Sequence, residues 1–354
     1  MSEQGAAASD GSAVELARRI REGEVTAREV VESALARIDE REETVQAWTH
    51  LARDHALKQA EIADRVRRDG KQLGALHGVP VGVKDVFDTF DMPTQYGTPI
   101  HAGRQTRQDA FAVERLREQG AIMLGKTVTT ELATYAPGKT RNPHNPEHTP
   151  GGSSSGSAAA VADGMVPLAL GTQTNGSVIR PAAYCGVYGY KPTYATISRT
   201  GVLRQSPALD QVGVFAATLQ DVGLLAELMM VYDSADDAMR PCARPKLREA
   251  ATSLPPVEPM LAFAKSPVWD EAEPEMQEAC GELVEALGDS IETLTLPDPF
   301  NHAHTMHKTV MEADIARNYH RDFENGRDQL SDSLRQQIER GRQVLAVDYI
   351  RSVE

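Results

Sequence analysis

Residues 150–192, PGGSSSGSAAAVADGMVPLALGTQTNGSVIRPAAYCGVYGYKP, carry two polar Gly/Ser loops of similar construction. The first belongs to a stretch, residues 136–157, too rich in Pro, Gly, Asn and Ser for a regular element, and it passes at once into the helix former AAAVA. The second, QTNGSV, leads into a short turn of helix with Pro181 in its first turn. Between them MVPLALGT, residues 165–172, is short, apolar and strand-like.

The rest of the chain alternates in the same way. Apolar residues recur at helical spacing from Ser12 to Gly23 and from Thr26 to Asp39, and a third helix is expected from about Ala52 to Arg68. HGVPVGVKDVFDT, residues 77–89, reads as a buried strand entering a loop, with Lys84 inside the apolar run. A helix at Ala110–Gln119 ends on Gly120; the strand-like AIMLGKT follows, then a helix from about Thr129. VYGYK and DQVGVFA are two further strand-like segments, and Leu219–Met230 is helical. The Pro-rich residues 241–268 suggest a surface connection, with amphipathic helix expected at Glu273–Leu287 and across Asp328–Glu354. About five convincing strands in an α/β order result.

Charge removes several functions. Acidic residues outnumber basic ones by 51 to 37, a net charge of −14, which opposes attraction to nucleic acid or an anionic membrane. The N-terminus lacks the pattern of a signal peptide, and no apolar run spans a bilayer, so a cytoplasmic protein is expected. Cys185, Cys242 and Cys280 are too few and too far apart for a disulfide framework or a metal site, and Cys185 reads as a small buried apolar residue.

Cleaving an amide requires an activated nucleophile, stabilisation of an oxyanion, and a proton for the leaving nitrogen. Thr174-Asn175-Gly176-Ser177 is a turn-prone stretch before a helix, where backbone N–H groups can converge beside the hydroxyl of Ser177. The competing reading is a tight connection or a phosphate cradle. Neither GxxxxGK[ST] nor a GxGxxG turn is present, and GGSSSGS offers hydroxyls where a dinucleotide loop needs bare backbone. His144 and His148 flank the first loop but read as surface residues.

Residues 150–192 closely resemble the signature segment of the amidase signature family, and HGVPVGVKD matches the family's lysine motif. The similarity runs from the N-terminal helices to about residue 235. It implies a central mixed, twisted sheet covered by helices on both faces. It also implies Ser177 as nucleophile, Ser153 as the bridging serine after a cis peptide bond, and Lys84 as base. Ser153 lies 69 residues after Lys84 and Ser177 a further 24 on. A lysine can act as base only when neutral, and burial lowers its ordinary value near 10.4. No cofactor or metal is required.

Where many members have GTDTGGSIR, this chain has GTQTNGSVIR, so Gln173 replaces an acid, Asn175 a glycine, and Arg180 falls three residues after Ser177. That register resembles the malonamidase branch, in which such an arginine holds the substrate carboxylate. Arg180, Gln173 and Ser154 are therefore the candidate substrate-binding residues; the alternative for Arg180 is an ion pair with Asp210 or Asp85. Asn175 is expected to tolerate positive φ while narrowing the site. Residues 1–12 are expected to be a flexible N-terminus and 13–354 a single amidase domain with its signature core at 77–216. Family members continue further, so the C-terminal part of the sheet is expected to be absent from this chain. The expected activity is hydrolysis of a small-molecule amide, in particular a small acidic one, and a homodimer is allowed. The alternatives are a glutaminase-type subunit supplying ammonia to a partner and a shortened, non-catalytic paralogue.

Overall fold

The run PVGVK can be buried along its whole length only inside a sheet, where strands on either side take up its backbone N–H and C=O groups. In the computed structural model, which describes residues 12–354, that is its position. Six strands form one sheet: β1 (Trp48–Leu51), β2 (Pro80–Lys84), β3 (Ile122–Thr127), β4 (Leu168–Gln173), β5 (Tyr188–Tyr190) and β6 (Gln211–Ala216). Their order is β1-β3-β2-β4-β6-β5. The three central strands are parallel, with Val81 opposite Met123 on one side and Leu168 on the other. β1, β6 and β5 join antiparallel, so the sheet is mixed. All five residues of β2 and all six of β3 and of β6 are buried.

Helices α1 (Ala13–Glu22), α2 (Ala27–Val45), α3 (Arg53–Arg68), α4 (Phe111–Glu118), α5 (Ser155–Ala162), α6 (Ile179–Cys185), α7 (Leu219–Met229) and α8 (Leu247–Thr252) surround this sheet. α5 packs along β2, β3 and β4, α7 along β4, β5 and β6, and α2 and α3 contact β2 and β3 respectively. Helix limits follow from caps. The Ser12 hydroxyl accepts from Glu15 N and Gly23 closes α1 in the left-handed region at φ 78°, while Thr26 and Glu29 form a reciprocal capping box for α2. The flexible segment expected over residues 1–12 lies, apart from Ser12, outside the described residues.

The chain divides into two compact units, residues 12–252 with 311–343 and residues 253–310 with 344–354. The second contains the parallel pair β7 (Leu261–Ala264) and β8 (Ile291–Leu294), joined through α9 (Pro274–Leu287). Three further helices follow, α10 (Ala303–Asn318), α11 (His320–Gly326) and α12 (Asp332–Gly341), and α13 (Ala346–Val353) comes last. Met311, Ile315, Tyr319, Phe323, Leu334 and Ile338 join the core of the first unit.

Several expectations fail locally. No helix starts near Thr129: Glu131–Ala133 form one tight turn with Leu132 and Ala133 at positive φ. There the backbone serves distant partners, with Leu132 N donating to Tyr96 O at 2.8 Å and the buried Glu131 carboxylate accepting from Ser331 N at 3.0 Å. The Pro-rich stretch 241–268 contains α8 and β7, and β1 forms where no strand was expected. α2 continues six residues past Asp39 to bury Val45, and the helix expected across 328–354 is two, α12 and α13. Among the described residues no helix is long and apolar enough to cross a membrane.

Candidate active site

Parallel β2 and β4 end side by side, and in open α/β sheets such carboxyl ends are where ligands bind. Lys84 is the last residue of β2 and fully buried. Its Nζ donates to Ser153 Oγ at 2.7 Å and to Thr172 Oγ1, on β4, at 2.8 Å. Burial drives its pKa well below the ordinary lysine range; the Asp210 carboxylate opposes that shift and the Arg180 guanidinium reinforces it.

Ser153 sits in the loop before α5, and the Gly152–Ser153 peptide bond is cis. Its carbonyl accepts from Thr130 N at 3.2 Å. Ser154 ties this loop to β4: its Oγ donates to Thr172 O at 3.2 Å and accepts from Thr172 N at 3.3 Å. Gly171 permits that approach, since a Cβ there would lie 2.9 Å from Ser154 Oγ and 2.5 Å from the Phe215 ring. The buried Ser154 thus spends its hydroxyl on backbone.

Ser177 is in the loop joining β4 to α6, and its carbonyl accepts from Ser154 N at 3.4 Å, so the two Ser/Gly loops meet. Gln173 holds the second loop in shape, its Oε1 accepting from Val178 N at 2.9 Å and Ile179 N at 3.0 Å. Gly176, at φ 145°, takes the backbone conformation that other residues avoid, whereas Asn175 does not have positive φ. The expected demand on Asn175 therefore falls one residue later. Among the described residues, the N–H groups of Asn175, Gly176 and Ser177 have no protein acceptor.

Asn175 does narrow the site. Its Nδ2 donates to Tyr135 Oη at 3.0 Å and approaches Met311 Sδ at 3.4 Å. Beneath this contact Ser177 borders a recess of about 10 Å³, room for about one water-sized group. Ala133 and Gln205 form part of its wall and also part of the wall of a cavity of about 480 Å³, which reaches Thr172, Thr174, Arg204 and Asp210.

Arg180 makes no ion pair with Asp210 or Asp85. Its Nε and Nη2 both donate to Gly152 O, at 3.1 and 2.9 Å. Asp85 instead lies 3.6 Å from Lys126 Nζ. Asp210 Oδ1 accepts from Thr174 Oγ1 at 2.7 Å and Oδ2 from Gln205 N and Ser206 N at 2.9 Å, while burial raises its pKa to about 6. His144 is exposed, with Nε2 2.8 Å from Cys185 O, and His148 is exposed as well. Cys185 is fully buried, which pushes its thiol to about 12.

Three features near the site were not anticipated: Thr172 as the second partner of Lys84, the half-buried Asp210 as the carboxylate whose charge acts on it, and the fully buried Lys126. Lys126 Nζ donates to Phe87 O at 2.6 Å and Thr94 Oγ1 at 2.7 Å, fixing the loop that leaves β2. Asp210 and Lys126 carry a weak sequence signal, a charge at one end of an apolar strand; Thr172 carries none. Among the described residues no cluster of His, Cys, Asp and Glu side chains could hold a metal.

A mixed six-stranded sheet sheathed in helices, with a buried lysine reaching one of two abutting Ser/Gly loops, defines the amidase-signature class of α/β protein. The chain belongs to the Amidase family, whose profile matches residues 29–352. Over 236 residues it is 42% identical to the glutamyl-tRNA(Gln) amidotransferase A subunit of Chloroflexus aurantiacus, an alignment covering 65% of this chain and 48% of that one. The chain therefore spans about half the length of the curated relatives it matches. Among solved structures it is similar to the peptide amidase of Stenotrophomonas maltophilia, at TM-score 0.82 and 27% identity over 97% of this chain and 78% of that one. It is also similar to a 6-aminohexanoate cyclic dimer hydrolase, at TM-score 0.84 and 25% identity over 99% and 75%.

Proposed function

We propose that this chain is an amidohydrolase that cleaves a carboxylic amide through an acyl-enzyme on Ser177, with Ser153 and Lys84 as its proton relay. The observation that carries this reading is the 2.7 Å contact between a fully buried lysine amine and the Ser153 hydroxyl, in a loop that touches the loop of Ser177. Neutral Lys84 accepts the Ser153 proton as Ser153 accepts that of Ser177, and Ser177 Oγ adds to the amide carbon. The oxyanion is met by N–H groups of the 174–177 turn, of which those of Asn175, Gly176 and Ser177 are without acceptors among the described residues. The proton returns through Ser153 to the leaving nitrogen, the C–N bond breaks, and an ester remains on Ser177. Water, deprotonated along the same path, then releases the acid.

The cavity of about 480 Å³ suits a small amide. Exposed Arg204, which lines it, has no ion-pair or hydrogen-bond partner among the described residues and offers a counter-charge to an acidic substrate. Gln173 and Ser154 contribute by holding the two loops. A second reading is favoured by the 42% identity to amidotransferase A subunits: a protein that releases ammonia for a partner.

The test is ammonia release by the purified chain from malonamate, glutamine, aliphatic amides and aryl amides, alone and beside Ser177→Ala. Turnover confined to wild type supports the mechanism, and turnover surviving Ser177→Ala sinks it. Glutamine cleavage that appears only with a partner protein favours the second reading.

A further inference from the structure

We infer that Arg180 is a positioning residue, whose guanidinium grips the Gly152 carbonyl and so fixes Ser153 between Lys84 and the loop of Ser177. This rests on the proposed function and assigns Arg180 a task within it other than binding substrate.

Two donors of one guanidinium converge on one oxygen, Nε at 3.1 Å and Nη2 at 2.9 Å, and that oxygen belongs to the residue immediately before Ser153. A planar fork with fixed N–H directions can do this; a lysine amine can supply only a single point contact. The backbone of Arg180 is tied to the other loop, its N–H donating to Gly176 O at 2.8 Å. Its Nη1 also packs over that loop, since a Cβ on Gly176 would come within 3.1 Å of it. One residue therefore spans both Ser/Gly loops, by side chain to the first and by main chain to the second. Charge-assisted hydrogen bonds of this kind are roughly twice as strong as neutral ones, and half-buried Arg180 is partly shielded from competing water. A substrate carboxylate would have to draw the fork from Gly152 or be content with Nη1.

The same guanidinium acts on Lys84 at a distance. The charged groups influencing Lys84 are Asp210, which raises its pKa, and Arg180, which lowers it, while the Asp85–Lys126 pair lies next along β2 and β3. Grip and charge can be separated, because Arg180→Lys keeps the charge and loses the fork, whereas Arg180→Gln loses both.

The experiment labels Ser177 with an alkyl fluorophosphonate. Ser177 Oγ bonds to phosphorus, fluoride leaves, and the hydroxyl proton passes through Ser153 to Lys84. Labelling rates are taken from mildly acidic to alkaline pH for wild type, Arg180→Lys and Arg180→Gln, with the labelled residue located by peptide mass spectrometry. Hydrolysis of neutral and carboxylate-bearing amides is followed in parallel. Both variants should label at least about tenfold more slowly on the alkaline plateau, the scale of a small misplacement of reacting groups. The acid limb should stay in place for Arg180→Lys and move to higher pH for Arg180→Gln, and kcat should fall equally for both substrate kinds. Arg180→Lys carries the test even where Arg180→Gln unfolds. Wild-type labelling by Arg180→Lys, or a loss confined to KM for carboxylate-bearing amides, overturns the inference. Wild-type protein that leaves Ser177 unlabelled overturns the proposed function, and the inference falls with it.

Discussion

Replacing Asp210 by Asn tests the electrostatics of the site without removing any of its three central residues. Gln205 N and Ser206 N both donate to Asp210 Oδ2, so an Asn with its oxygen there keeps both bonds. Its Nδ2 then faces Thr174 Oγ1, which can accept from it while still donating to Gln205 Oε1, now 3.0 Å away. The substitution is close to isosteric, and its main effect is on charge. Burial raises the Asp210 pKa from 3.8 to about 6, a difference that corresponds to ~3 kcal/mol at ~1.36 kcal/mol per pH unit. The folded protein holds this proton more tightly than the unfolded chain does. That contribution is fully present below the unfolded value of 3.8 and lost as pH rises through about 6. Near neutral pH, wild type therefore carries the cost of a partly desolvated carboxylate that Asp210→Asn does not. An unfolding entropy of ~2.1 cal/mol/K per residue gives ~0.7 kcal/mol/K for a chain of 354 residues, so ~3 kcal/mol moves the melting temperature by ~4 °C. Thermal melts of both proteins at about pH 4 and about pH 7.5 should show the gap shifting by ~4 °C in favour of Asp210→Asn at the higher pH. Groups that do not feel the Asp210 charge titrate alike in both proteins and cancel from the difference; Lys84 and Tyr319, which do feel it, do not cancel. A gap that does not change with pH, or that shifts the other way, refutes the reasoning. Loss of the charge that raises the Lys84 pKa should also move the acid limb of turnover to lower pH.

Lys84→Met should lower kcat by ~10²–10⁴, the usual contribution of a positioned proton acceptor, and abolish the acid limb. Because the folded pKa of Lys84 is depressed, wild-type stability should rise with pH toward the unfolded value of 10.5, and melts of Lys84→Met should lack that share of the slope. Lys126→Met breaks a buried ion pair and leaves Phe87 O and Thr94 Oγ1 without their donor, and is expected to cost ~3–5 kcal/mol in denaturant unfolding. An unchanged midpoint would show that Lys126 holds nothing in place.

Legibility in the sequence followed the range of the interaction. The strands β2, β3, β4 and β6 were read from short apolar runs and are buried over all or most of their length, which leaves few polar residues in them and keeps those few, Lys84, Lys126 and Gln211 among them, near the strand ends. The edge strand β1, WTHL, is only partly buried, and its one wholly enclosed side chain, Trp48, is too little to mark a strand. Glu131 looked like the start of a helix because propensity is local, whereas its partner Ser331 lies 200 residues away. Lys84, Ser153 and Ser177 were legible because each stands in a dense motif. The partner of Arg180 was not, since a backbone carbonyl carries no residue label and sequence can pair an arginine only with acids.

That blindness matters most at Lys84, whose protonation is set by groups from separate parts of the chain. Burial in β2 removes water from the amine and favours its neutral form, and on that ground alone the lysine would be a ready acceptor but a poor carrier of the proton. The proposed relay needs both states, since in it the proton taken from Ser177 rests on Lys84 until the leaving nitrogen claims it. Asp210, on the loop before β6, stabilises the charged state, and Arg180, on α6, opposes it. As pH falls through about 6 the Asp210 carboxylate takes up its own proton, and its support for charged Lys84 fades. Any part of the acid limb that falls in that range should be shallower than a single titration, and Asp210→Asn should restore a single-proton slope there.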